Sequence, residues 1–213
     1  YYNVKQPNGY FADHTINLNR YCIHFMRINL LIVFCFLILS GTMAQKWPGY
    51  TLVANGNATT ARLVDTTGVI YKQWTGLTGG GTGYSSYLLP GKILLRSVKQ
   101  NPVSPFTNTG GACGAFQKVD WNGTVLWTYT ISNSSHYSHH DLCPMPNGNV
   151  MVIAYEYHTN AEYQAAGGTG AFTTGIWSEK VMEIKQNGAN GGDVVWQWRV
   201  WDHLVQNANA AKS

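Results

Sequence analysis

Charge is what this sequence has least of. Only 11% of its 213 residues are Asp, Glu, Lys or Arg, against about 25% in an ordinary globular protein. Fourteen basic and ten acidic residues leave a net charge of +4, too small for the basic stripe that a nucleic-acid partner requires. No nucleic-acid partner is therefore expected. Long apolar runs are also missing: Leu30 to Leu39 is about half of the roughly 20 residues that span a bilayer, so no stable membrane insertion is expected after processing. The chain has four cysteines and no C-x-x-C spacing, which removes the usual redox and zinc frameworks. Glycine-rich stretches occur at Thr78 to Gly83 and Gly167 to Gly170, but neither ends in Gly-Lys-Ser/Thr, so they read as connectors and no nucleotide or other cofactor is expected.

The apolar run has a more specific reading. Met26-Arg27, the core Leu30 to Leu39 and the small residues Ser40 to Ala44 have the layout of a secretory signal peptide. This divides the chain into an upstream segment 1–25, a signal peptide 26–44 and a folded part 45–213, which is expected to work in the periplasm or outside the cell. Only Cys113 and Cys143 remain in that part; an oxidising compartment permits them to pair, and two separate thiols are the alternative.

Low charge, 23 glycines and 13% aromatics point to a β-rich protein, and an internal repeat gives its form. Arg62-Leu63-Val64-Asp65-Thr66-Thr67-Gly68-Val69 recurs as Gln117-Lys118-Val119-Asp120-Trp121-Asn122-Gly123-Thr124, a step of 55 from Val64 to Val119. A stretched third copy around Ile184 follows after a step of 65. Leu88-Leu89-Pro90-Gly91 recurs in step as Pro144-Met145-Pro146-Asn147-Gly148. The spacing predicts four short strands per period, in the clearest copy Leu142 to Met145, Val150 to Tyr155, Ile176 to Ile184 and Val194 to Trp201, with an Asn147-Gly148 hairpin turn. Such a unit is a propeller blade. The expected fold is all-β, a partial β-propeller of about three four-stranded antiparallel blades, whereas closed propellers typically have about 4 to 8. Trp74, Trp127, Trp196 and Trp198 recur on or after the last strand of each unit and are expected to pack between blades.

On this assignment His136, His139 and His140 lie in one connection between units, His203 lies in the next and His158 in a long loop, all on one face. Residues just before the innermost strand face the central channel, which selects His139, His140 and His203. Imidazoles gathered there can donate hydrogen bonds, carry charge or act as nucleophile or acid, and suit an oxyanion such as sulfate or phosphate. Asp141 and Asp202 adjoin these histidines and could fix a ring tautomer or cap a turn. Neighbouring histidines on one strand point apart, so no metal site is expected.

The block His139-His140-Asp141 through Pro146-Asn147-Gly148-Asn149, the strand Gly123 to Trp127, and Val194 through Leu204 together resemble the exported bacterial arylsulfotransferases. The resemblance implies a six-bladed propeller that moves a sulfuryl group from a phenolic sulfate ester to a phenol without a nucleotide donor. It implies a transiently sulfated histidine, with other histidines, an asparagine and an arginine binding the sulfate. His140 with Asp141 matches an early sulfate-binding histidine, and His203 a histidine of some relatives. Catalytic candidates are thus His140, His139 and His203, and substrate-binding candidates His140, Asp141 and Asp202. The family's later Asp-Trp-x-His-x-Asn and His-Asp segments do not occur, so this chain is expected to be an inactive N-terminal fragment. A non-catalytic binding propeller for proteins or sulfated glycans, and a quinoprotein-like propeller, are the alternatives.

Overall fold

The computed structural model describes residues 48–204, together with positions 27 and 29. The upstream segment 1–25 and, those two positions apart, the expected signal peptide 26–44 lie outside the described residues. Residues 48–213 form a unit distinct from 1–47, and the architecture below is that of this unit.

Eleven strands among the described residues form three antiparallel sheets. The first holds β1 (Tyr50–Ala54), β2 (Ala61–Asp65) and β3 (Ile70–Trp74). The second holds β4 (Thr82–Leu89), β5 (Ile93–Lys99), β6 (Gly114–Val119) and β7 (Val125–Thr130). The third holds β8 (His136–Pro144), β9 (Val150–His158), β10 (Ile176–Asn187) and β11 (Gly191–Arg199). Each is a meander in which consecutive strands pair. The arrangement is propeller-like, and the described residues show no closed ring of sheets. The expectation of four strands in every unit is corrected for the first sheet, which has three among the described residues.

The repeat is visible because its turns have fixed chemistry. Asp65 Oδ1 accepts from the backbone N–H of Thr67 (2.8 Å) and Val69 (3.0 Å), and Asp120 Oδ1 accepts in the same way from Asn122 (2.8 Å) and Thr124 (2.7 Å). Each turn then needs a residue at positive φ, supplied by Gly68 (+90°) and Gly123 (+97°). In the β8–β9 hairpin the positive φ falls on Gly148, while Asn147 contributes side-chain bonds to Asn149 N–H and Glu183.

Alternation along the strands builds the core. On β9 Val150, Val152, Ala154, Glu156 and His158 are buried in turn, and the intervening residues are half-buried. One apolar cluster, including Leu63, Trp74, Leu94 and Val119, joins the first sheet to the second; another, including Phe116, Trp127, Leu142, Val152 and Met182, joins the second to the third. Tryptophan N–H groups fasten each junction: Trp74 Nε1 donates to the Asp120 carbonyl (2.9 Å) and Trp127 Nε1 to the Gly191 carbonyl (2.7 Å). Trp196 and Trp198 depart from the expected packing role and are 48% and 42% exposed.

Strand limits also differ from expectation. Strand β8 begins at His136 rather than Leu142, and β9 runs on to His158, because both strands continue through polar residues that satisfy one another. The 159–175 connection is not wholly a loop. It carries a short helix, α1 (Asn160–Ala165), started by a capping box in which Thr159 and Glu162 bond reciprocally. The Thr78 to Gly83 stretch is pinned rather than free: buried Arg96 donates to the carbonyls of Thr78 (2.5 Å) and Gly80 (3.1 Å), and Gln100 to that of Gly79 (2.6 Å). Burial alone pulls the Arg96 guanidinium down to about 10.

Candidate active site

Strand β8 does not run straight. Ser138 pairs with Ala154 and Leu142 with Val152, so His139, His140 and Asp141 stand opposite Ile153 alone. Two surplus residues must leave the ladder, and the backbone turns His140 to φ +49° to do so. Strand β4 carries the same irregularity 56 residues earlier: Thr82 pairs with Val98 and Ser86 with Arg96, leaving Gly83, Tyr84 and Ser85 opposite Ser97. The two bulges meet, with the Tyr84 and His140 rings 5.5 Å apart. Tyr84, Ser85, Ser86, Tyr87, His140 and Asp141 line an open depression of about 450 Å³. The hydroxyl oxygens of Ser85 and Ser86 are buried there without a hydrogen-bond partner.

A segment before β6 holds the β8 bulge from behind. His140 N–H donates to the Gly111 carbonyl (2.8 Å), Cys113 N–H to the Ser138 carbonyl (3.1 Å), and Ala112 bridges His139. Gly111 is at φ +65°, and the His140 ring occupies the space where a side chain at Gly111 would begin.

His139 and His140 do not point apart as neighbours on a regular strand would: the bulge, with His140 at φ +49°, brings their rings edge-on with centroids 5.1 Å apart. His139 is buried, stacks on Tyr155 at 3.9 Å, and places Nδ1 2.9 Å from Nδ1 of exposed His140. Its Nε2 lies 2.7 Å from Oε2 of Glu179 on β10. Burial pulls the His139 imidazole below 6.5, outweighing the opposing pull of Glu179. Asp141 serves the bulge rather than a histidine: its Oδ1 accepts from Leu142 N–H (2.7 Å) and from Tyr87 Oη (3.3 Å).

The remaining histidines do not join this pair. His136 and His158 belong to strands, not loops, and flank buried Glu156, their Nε2 atoms each 3.4 Å from its carboxylate. Arg199 (2.9 Å) and Lys180 (3.7 Å) complete that group, and His158 stacks on Trp201 at 3.6 Å. Burial opposes ionisation of Glu156, but the Arg199 and Lys180 cations outweigh it and hold the carboxyl below its usual range. His203 ends the 3₁₀ turn Val200–His203 and stacks on Trp198, while Asp202 pairs with Arg199 (3.4 Å). Strands β9 and β10 stand between β11, which leads into that turn, and the strand that carries His140. The five histidines among the described residues thus form three groups rather than one. Both Cys113, which is buried, and Cys143, which is exposed, are free thiols.

Sequence reasoning missed Glu179, Tyr84 and Gly111. The 56-residue step could have found Tyr84, which is the repeat position of His140; nothing marks Glu179, one of two acids on an alternating strand.

The buried imidazoles set a pH response. Burial lowers His136, His139 and His158 below 6.5. A ring kept neutral in the fold but free to charge in the unfolded chain contributes stability that is complete above 6.5 and is lost as pH falls through the lower folded value. The urea midpoint should therefore drop as pH falls below 6.5, before Glu156 protonates. A midpoint that stays flat there would show that these rings charge as easily folded as unfolded.

The architecture and the paired imidazoles define a class: an all-β, propeller-like protein with a histidine site on a bulged strand of one sheet. The chain belongs to the arylsulfotransferase family, whose model, described as arylsulfotransferase (ASST), matches residues 52–213. No curated protein matches the chain.

Proposed function

We propose that this protein is an exported aryl-sulfate sulfotransferase. It moves a sulfuryl group from a phenolic sulfate ester to a phenol, without a nucleotide donor and by way of a sulfated histidine. The observation that carries the reading is the family match over residues 52–213, which spans both bulges and all of the third sheet. The site has the right chemistry for it. The exposed His140 ring stands beside a wall that includes Tyr84 and Tyr87, in which the Tyr84 hydroxyl can donate to a sulfuryl oxygen and the ring faces suit an aryl group. His140 is the residue of this chain that meets the transferred group, and Asp141 holds the bulge that presents it.

The test is release of 4-nitrophenol from 4-nitrophenyl sulfate by the gene product, with and without added phenol, compared with its His140→Ala variant. Phenol-dependent release that falls at least about a hundredfold in the variant is expected; no release, or release indifferent to phenol, overturns the reading. In this proposal the sulfated histidine is none of the five among the described residues; a sulfated His140 trapped with 4-nitrophenyl sulfate and found by mass spectrometry would overturn that assignment.

A further inference from the structure

The line from Glu179 through His139 to His140 has a direction. A carboxylate only accepts hydrogen bonds, so the 2.7 Å contact with Glu179 requires a proton on Nε2 of His139. His139 is buried, and a neutral ring carries one proton, so its Nδ1 is an acceptor. The 2.9 Å contact between the two Nδ1 atoms then needs its proton from His140. A neutral His140 is left with a lone pair on Nε2, the nitrogen not engaged with His139.

We infer that Glu179 and His139 are positioning residues that fix this tautomer of His140, making Nε2 the proton acceptor of the site. The inference deepens the proposed function and rests on it for the identity of the proton donor, the acceptor phenol. The phenol O–H bond breaks and its proton goes to Nε2. The electron pair stays on oxygen and forms the new O–S bond, as the bond between sulfur and the group that carried it breaks with its pair going to that group. The imidazolium so formed is stabilised along the chain, since its Nδ1–H still donates to His139, whose Nε2–H still donates to the Glu179 carboxylate.

Both links are held by packing. Glu179 lies opposite Tyr155 in the β10–β9 register, and the Tyr155 ring that stacks on His139 donates its Oη to the Gly110 carbonyl (3.3 Å). Neither His139 nor Tyr155 can turn without breaking a neighbour's contact. The other ionisable groups around the pair are Asp141 on β8, Tyr84 and Tyr87 on β4, Lys99 on β5, whose Nζ lies 5.3 Å from the Tyr84 ring, and Cys113 before β6.

The experiment is ¹⁵N imidazole NMR on the labelled 213-residue chain across a pH titration, with His140 assigned by its loss in His140→Gln. Where the ring is neutral, wild-type His140 should show a protonated Nδ1 and a bare Nε2; the opposite tautomer overturns the inference and needs no variant. Glu179→Gln, whose amide can donate as well as accept, should shift the His140 population towards the Nε2-protonated form, with Glu179→Asp restoring the wild-type tautomer. An unchanged tautomer in a folded Glu179→Gln protein also overturns the inference. These signals do not depend on turnover, so failure of sulfuryl transfer and failure of the positioning chain are separately visible.

Discussion

Replacing Trp127 by Ala should destabilise the protein by about 3–5 kcal/mol, the range for truncating a fully buried large aromatic. The side chain is 0% exposed, meets Phe116 edge-on at 5.0 Å and Tyr129 at 6.3 Å, and lies beneath the Lys118 ammonium at 4.7 Å. Its indole N–H also reaches across to the Gly191 carbonyl, so the substitution empties a cavity between two sheets and orphans a carbonyl at once. Trp127→Phe should keep most of the packing and lose about 1 kcal/mol for the missing hydrogen bond. Trp196 provides the comparison: it holds the same register position in the third sheet, opposite Glu183 as Trp127 is opposite Lys118, but is 48% exposed. Trp196→Ala should change stability by no more than about 0.5 kcal/mol. Urea unfolding followed by far-UV circular dichroism measures all three. Equal costs at Trp127 and Trp196 would mean that the junction between second and third sheets is not where this chain draws its stability.

Gly111→Ala should disable the site while leaving the fold largely intact. A Cβ there would lie 2.1 Å from Cε1 and 2.2 Å from Nδ1 of His140, well inside contact distance. The ring must move, because the backbone cannot: His140 N–H is tied to the Gly111 carbonyl itself. Alanine at φ +65° adds roughly 1–2 kcal/mol of backbone strain. The ring is expected to swing away from His139, breaking the Nδ1 contact and costing about a hundredfold in sulfuryl transfer, as a displacement near 1 Å can. Gly110→Ala is the control, since its Cβ would meet nothing within 4 Å. Wild-type imidazole signals in Gly111→Ala would show that the ring has room to spare.

What the sequence made legible was the part governed by local chemistry. The Asp-x-x-Gly turns at Asp65 and Asp120 announce themselves because side chain, glycine and spacing must all agree, and the three sheets follow from their period. The innermost strand was misjudged because its bulge breaks the alternation between Ser138 and Leu142, so the histidines looked like loop residues. The end of β9 was lost for a related reason. Glu156 and His158 occupy inward positions that an apolar pattern never predicts, and only neutralisation with Lys180 and Arg199 permits it. Glu179 was invisible because its partner is 40 residues away and reached only through strand pairing.

The irregularity in β4 and β8 is the same backbone device carrying different side chains, Gly83-Tyr84-Ser85 in one sheet and His139-His140-Asp141 in the next. Strand geometry and reactive chemistry are therefore inherited separately in this architecture. Each sheet brings a display position whose occupant can be exchanged without altering the ladder that frames it. With two such positions 5.5 Å apart ring to ring, a change at Tyr84 would alter what lies beside His140 while leaving the proton path behind it untouched. Substrate choice can in this way drift at one sheet while the other keeps the imidazole in working order.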